Sequence, residues 1–168
     1  MLVRSVTVLM LTGATLSCAK DGGIPAQQRT DDEIAVLAAV EQFFVTMTTK
    51  DSAGAHEVLD AAGDFVSVRW SEDGERFVRR SPNAAYLDGL EGQTETNLER
   101  MWESEVRVHG PIAMVWTPYD FHIDGQFSHC GVDAFQLLRT ETGWKITGGT
   151  YTVERSGCPE SPLGPPGS

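Results

Sequence analysis

Two turn signals inside residues 114–151, MVWTPYDFHIDGQFSHCGVDAFQLLRTETGWKITGGTY, constrain the fold most, because they cut the stretch into three consecutive strands with a definite pairing. Asp124-Gly125 suits the positive φ angles of a two-residue hairpin loop, so Ile123 stands opposite Gln126 and the pairs run backwards from there. An unbroken ladder then sets Asp120 against His129, His122 against Phe127, Trp116 against Asp133, Met114 against Phe135 and Ile112 against Leu137. Cross-strand neighbours share a face, and faces alternate with period two. The second turn, Thr140-Glu141-Thr142-Gly143, brings Trp144, Ile146, Gly148, Thr150 and Thr152 to the same face. That face is apolar at one end and polar at the other, as the wall of a small-molecule cavity should be, and the small Gly148 and Thr150 leave it hollow. Pro118 lies within the first of these strands, opposite Gly131, and predicts a bulge or an edge position there, since proline has no N–H to donate. A slip of one residue would turn every assigned side chain to the other face.

At 168 residues and 40% hydrophobic composition, the chain has length for one domain with a real core. Its first segment does not belong to that core. Arg4 precedes an apolar run from Val6 to Leu16, shorter than the roughly 20 residues of a membrane-spanning helix, and small residues follow at Ser17-Cys18-Ala19. This pattern predicts an export signal over residues 1–18. Thr15-Leu16-Ser17-Cys18 resembles the lipobox of bacterial lipoproteins, which implies lipid on Cys18 and an envelope-anchored product. The family usually carries Leu where Thr15 stands. Cleavage after Ala19 would instead release a soluble exported protein.

An oxidising compartment makes cysteine pairing the expectation, and with Cys18 lipidated or removed, Cys130 and Cys158 remain. Cys130 falls on the face away from the proposed cavity, beside Val153, and Cys158 follows closely enough for the tail to fold back. The formal net charge is −11, and loss of Arg4 with the signal leaves 12 basic residues against 24 acidic ones. Nucleic acid is excluded as a partner on that balance, and contact with a membrane is expected only through the lipid.

Residues 19–29, AKDGGIPAQQR, read as a tether, residues 30–156 as the folded domain and 157–168 as a Pro/Gly-rich tail. Thr30 with Glu33 forms a capping box, and Ile34, Leu37, Val40, Phe44 and Met47 recur at helical spacing, predicting a helix over 31–49. A short helix is expected at 52–59. A hairpin follows around Ser71-Glu72-Asp73-Gly74, and Ser81-Pro82 caps and starts a third helix running to Leu90. From Thr96 the chain returns to strand, with Val106 and Val108 alternating with charged residues before the turn at His109-Gly110-Pro111.

This order, three helices threaded with a hairpin and then a long antiparallel meander, resembles the nuclear transport factor 2-like superfamily in its SnoaL-like branch. So does the closing pattern His129-Cys130-Gly131-Val132-Asp133-Ala134-Phe135 with Gly143-Trp144-Lys145-Ile146. The resemblance spans residues 31–154 and implies an α+β cone in which helices close over a curved antiparallel sheet. It does not fix an activity, since the superfamily holds isomerases, cyclases, dehydratases, ligand binders and dimerisation modules. It also implies that the outer sheet face can form a homodimer, here through Val115, Tyr119 and Val132.

Asp133 is the leading chemical candidate, because a carboxylate beside Phe135 and Leu137 loses hydration and its pKa rises into the range of a general acid or base. His129 opposite Asp120, with His122 one step away, resembles the carboxylate-oriented imidazole of dehydratase members. Tyr86 on the third helix and Trp70 on the first strand reach towards the cone from other walls. The ketosteroid isomerase pattern does not transfer, since helix 31–49 has no tyrosine. No compact metal-ligand motif is present, and neither metal nor cofactor is expected. The reading is a small, partly apolar ligand held by Trp70, Tyr86, Trp116, Asp120, His122, His129 and Asp133. The alternative is a metal-independent lyase or isomerase using Asp133 or His129, and a homodimeric interaction module with a vestigial pocket is the third.

Overall fold

The computed structural model describes residues 29–166, so the export signal, Cys18 and nearly all of the tether lie outside the described residues. Helix α1, Asp31–Thr49, begins where the capping box predicts. Thr30 Oγ1 accepts from the Glu33 amide at 3.2 Å, and the Glu33 carboxylate accepts from the Thr30 amide at 2.7 Å. Asp31, Asp32 and Glu33 in its first turn oppose the positive end of the helix dipole. It ends at Lys50, a residue in the left-handed region at φ 59°. Helix α2, Ser52–Val58, is capped by Asp51, whose side chain accepts from the Gly54 amide at 3.0 Å. Helix α3, Asn83–Gly89, starts one residue later than expected, with Pro82 as its cap residue and no side-chain cap from Ser81.

The strands are β1 (Leu59–Trp70), β2 (Arg76–Pro82), β3 (Asn97–Met101), β4 (Glu105–His109), β5 (Ile112–Ile123), β6 (Gln126–Thr140) and β7 (Gly143–Val153). They form one sheet in the order β2-β1-β7-β6-β5-β3, with β4 also paired to β5. Only β1 and β7 run parallel. The helices cover one face, where Val36, Val40, Phe43, Phe44, Leu137, Trp144 and Ile146 form the centre of the core. Ile34, assigned to the apolar face of α1 by spacing, is 54% exposed.

The pairing around Asp124-Gly125 starts as expected, with Ile123 opposite Gln126 and His122 opposite Phe127. Then Ser128 enters as an extra residue, and beyond it Phe121 pairs with His129, Tyr119 with Gly131, Thr117 with Asp133, Val115 with Phe135 and Ala113 with Leu137. The unbroken ladder is thereby corrected by one residue. On β6, His129, Asp133, Phe135 and Leu137 keep the face assigned to them. On β5 the inward set is Ala113, Val115, Thr117, Tyr119 and Phe121, while Ile112, Met114 and Trp116 are exposed at 56%, 39% and 48%. Asp120 and His122 share that outer side.

Thr147 causes a second slip, since Leu137 pairs with Ile146 but Gln136 with Gly148. Trp144 and Ile146 point inward as expected, whereas further along Gly149, Tyr151 and Val153 replace Gly148, Thr150 and Thr152 on the cavity side. Pro118 needs no bulge of its own. It pairs with Val132, not Gly131, and lies where the chain breaks between β3 and β4, so no neighbouring strand requires an N–H from it on that side.

The tail folds back over the outer face. Cys130 and Cys158 form the expected disulfide, with Cα atoms 5.9 Å apart, and Cys130 pairs with Glu154, one residue beyond Val153. Arg100 Nη1 donates to the Gly164 carbonyl at 2.9 Å, and its Nε donates to Asp120 Oδ1 at 2.8 Å, closing a buried bidentate pair. No helix among the described residues is long and apolar enough to cross a membrane.

Candidate functional site

The concave face encloses a cavity of about 660 Å³. Its closed end is aromatic: Phe43 of α1 stacks on Phe65 of β1 at 5.7 Å and meets Phe135 and Tyr86 edge-on at 6.4 and 5.5 Å. These contacts follow from sequence phase. Phe43 lies on the buried stripe of α1, Phe65 and Phe135 occupy inward positions, and Tyr86 lies on α3, which packs against β1.

Towards the open end the lining becomes polar. Asp133 on β6 is 4% exposed, and among the described residues no N–H and no Ser, Thr or Tyr hydroxyl donates to its Oδ2. Its neighbour is the carboxyl of Glu99, which β3 carries inward opposite Phe121. Glu99 keeps some accessible surface, and that surface lines the cavity. Two carboxyls can be hydrogen-bond partners only if one keeps its proton. Burial pushes Asp133 up to about 8, while burial and then the nearby Asp133 raise Glu99 well above the usual carboxylate range. The contact with Glu99 favours the ionised form of Asp133, but burial outweighs it. The pair holds at least one proton at neutral pH.

His129 stands across Phe121 from Glu99. Its ring stacks on Phe121 at 4.8 Å and meets Tyr119 edge-on at 5.8 Å, and its Nδ1 lies 3.0 Å from Ser128 Oγ. Burial, then the guanidinium charges of Arg69 and Arg155, lower its pKa to about 4, so the imidazole is neutral near pH 7. The bulge explains how Ser128 and His129 both reach the cavity, since both residues oppose Phe121. Tyr119 crosses Gly131 to donate to the Thr152 carbonyl at 2.7 Å. Tyr86 is raised to about 12, chiefly by burial.

Of the residues expected at the site, Asp133, His129 and Tyr86 line the cavity. Trp116, Asp120, His122 and Trp70 do not. Trp116 is turned outward by the Ser128 bulge. Asp120 is paired with Arg100 beneath the tail, and His122 Nδ1 lies 3.6 Å from Asp120, too far for a hydrogen bond. Burial lowers the pKa of His122, so it stays neutral beside an ion pair already complete. The Asp120–His129 pairing therefore does not form. Trp70, 45% exposed, borders a separate groove with Phe77 and Arg155. Sequence reasoning missed Glu99, Tyr119, Phe121 and Tyr151. The strand Asn97-Leu98-Glu99-Arg100-Met101 alternates without an apolar face, so only its pairing with β5 tells which carboxylate turns inward. Val115 and Tyr119, assigned to a homodimer surface, are interior residues at 0% and 1% exposure, and only Val132 remains on the outer face.

No family model matches the sequence, and no curated protein is detectably similar to it. Solved structures are similar in fold. A nuclear transport factor 2-like protein from Cytophaga hutchinsonii superposes with a TM-score of 0.60 at 9% identity, covering 74% of this chain and 99% of that one. One of unknown function from Silicibacter pomeroyi gives 0.53 at 24% identity, covering 76% and 100%. A third, described as having a cystatin-like fold, from Novosphingobium aromaticivorans gives 0.57 at 16% identity over 76% and 84%. With matching helices, a curved seven-stranded sheet and near-complete coverage of these structures, the chain has the nuclear transport factor 2-like fold.

Proposed function

We propose that this chain is an exported, lipid-anchored domain that binds a small, partly apolar molecule inside the cone. The observation that carries the reading is an open, aromatic-lined cavity with the Glu99–Asp133 carboxyl pair on its wall. A cavity of about 660 Å³ with an aromatic wall and a few convergent polar groups has the size and lining of a small-molecule site. Export is supported by the disulfide, which belongs to oxidising compartments, and lipid on Cys18 by the lipobox-like segment. Comparison of native and denaturing mass spectra of the exported protein tests binding. A discrete extra mass that disappears in Asp133→Asn supports it, and bare protein from several hosts counts against it. Incorporation of a fatty-acid analogue, abolished by Cys18→Ala, tests the anchor.

The same pair favours a second reading, a metal-independent lyase or isomerase in which Asp133 takes a proton from the substrate while Glu99 donates a hydrogen bond to developing negative charge. A base near pKa 8 beside a protonated acid is suited to that exchange. His129, neutral and stacked, would orient the substrate in this scheme and not supply a proton. A third reading is self-association, favoured by the exposed stripe Ile112, Met114, Trp116 and Leu138 on the outer sheet face.

A further inference from the structure

We infer that the ligand is an amphipathic organic oxyanion, its anionic group held by Arg69, Arg79 and Arg155 and its far end meeting the Glu99–Asp133 pair. The inference rests on the cavity being a binding site and adds the chemical class of what enters it.

The register places these groups in order across the concave face. Arg79 of β2 pairs with Ser67 of β1, Ser67 with Tyr151 of β7, and Tyr151 with Asp133 of β6. That row runs from a cation to a carboxyl. Arg69 lies two residues along β1 from Ser67, beside Val153, and Arg155 lies two beyond Val153. All three arginines line the cavity together with Asp133 and Glu99. The two groups therefore carry opposite character, with Phe121 and Tyr151 between them.

The arginines are also uncompensated. Among the described residues, ion pairs join Arg80 to Asp64, Arg100 to Asp120 and Arg139 to Asp32, and none involves Arg69, Arg79 or Arg155. Among the described residues, the only polar bond of the three runs from Arg69 Nε to Ser67 Oγ at 3.0 Å. Glu95 also lines the cavity and neutralises none of them. Among the described residues Arg76 and Arg107 also lack ion pairs, and Arg69 and Arg155 border the separate groove with Glu72 and Glu154. It is therefore the convergence of three guanidiniums on one cavity wall, in a chain with 24 acidic residues against 13 basic ones, that suits an anion from outside. His129 reports their proximity, because Arg69 and Arg155 both disfavour its protonated form. Guanidinium forks bind carboxylate, sulfonate and phosphate oxygens in pairs. The carboxyl end suits the opposite group: a protonated carboxyl of the Glu99–Asp133 pair can donate to a carbonyl or ether oxygen of the ligand.

Two fluorescent probes with the same body separate this from the parent reading: 8-anilinonaphthalene-1-sulfonate and its neutral counterpart N-phenyl-1-naphthylamine, titrated into the full exported protein. The sulfonate is expected to bind at least about tenfold more tightly than the neutral probe, a difference that shrinks with salt. Arg69→Gln with Arg155→Gln should remove that advantage and leave the neutral probe's affinity unchanged. Sodium sulfate at the same concentration should not displace the probe, since the apolar body contributes. Equal binding of both probes, or an advantage that survives the double substitution, overturns the oxyanion assignment and leaves the cavity reading in place. Absence of binding by either probe overturns both. Because the outer stripe could hold the same dyes, Trp116→Gln is the control: loss of the sulfonate signal in that variant assigns binding to the outer face and rejects the proposal.

Discussion

Gly131 lies under the ring of Tyr119, and the missing side chain is what lets that ring reach the Thr152 carbonyl two strands away. A Cβ at Gly131 would fall 2.8 Å from the Tyr119 ring and 2.8 Å from Thr152 Oγ1, and still closer to the Thr152 carbonyl oxygen, which is backbone and cannot move aside. Gly131→Ala is therefore expected to cost about 1–3 kcal/mol, as overpacking does. Tyr119→Phe leaves the ring in place and removes a buried donor, at about 1–2 kcal/mol. The double variant should lose less than the sum, because a displaced ring has already given up its hydrogen bond. Urea unfolding of the four proteins decides it, and strict additivity would separate the two residues.

Acidity should affect stability in two opposed ways. Between an ordinary carboxylate pKa near 4 and about 8, folded Asp133 holds a proton that the unfolded chain releases, so stability falls as pH rises through that window. Glu99 acts in the same direction. His129, lowered to about 4, makes stability rise with pH between about 4 and 6.5, and His122 adds to that rise. Above pH 6.5 the carboxyls act without opposition. We expect unfolding free energy to fall from pH 6.5 to 8, by at most about 1.4 kcal/mol per pH unit for each proton, and Asp133→Asn to flatten the fall. A level wild-type profile over that range would show that the pair does not share a proton.

Reduction should loosen the tail and weaken the domain. The disulfide closes a loop of 28 residues, for which restriction of the unfolded chain contributes about 3–4 kcal/mol. Cys158→Ser is expected to lose that amount in denaturant titration, while Cys130 stays behind as a small buried side chain. The tail should also become cleavable by protease before the sheet does. A tail that stays resistant in the variant would show that Arg100 and its neighbours hold it without the covalent link.

The outer stripe gives a test of self-association independent of the cavity. Ile112, Met114, Trp116 and Leu138 form an apolar area that a second copy would cover. Sedimentation equilibrium at micromolar concentration should show a dimer, and Trp116→Glu should shift it to monomer without changing the melting temperature of the monomer. A monomeric wild type up to about 100 μM would remove the reading, since specific interfaces of ordinary size hold at lower concentrations.

The sequence was most legible where local chemistry decides structure. Thr30 with Glu33 marks the start of α1, Asp124-Gly125 fixes the hairpin tip, and the cysteine count leads to Cys130–Cys158. On β6 the inward residues were readable because Phe135 and Leu137 set the phase for Asp133 and His129. On β5 they were not, because Ser128 carries no sign that it will be the extra residue, and Trp116 and Val115 are equally plausible as core. Thr147 hides the second slip in the same way, and Tyr151 with it. Glu99 depended on a contact between β3 and β5 that no short-range pattern encodes, so half of the carboxyl pair became visible only in the folded chain.

By the position of its last strand, the domain ends at Val153. Judged by what buried charge requires, it ends later. Arg100 and Asp120 sit on the convex side of strands whose other side builds the cavity, and the cover over them comes from residues that form no regular structure, with Gly164 supplying a carbonyl to Arg100. A truncation guided by secondary structure alone would expose a guanidinium to water on the reverse of the strand that carries Glu99. Expression boundaries, fragment libraries and fusion junctions for this chain belong after Gly164.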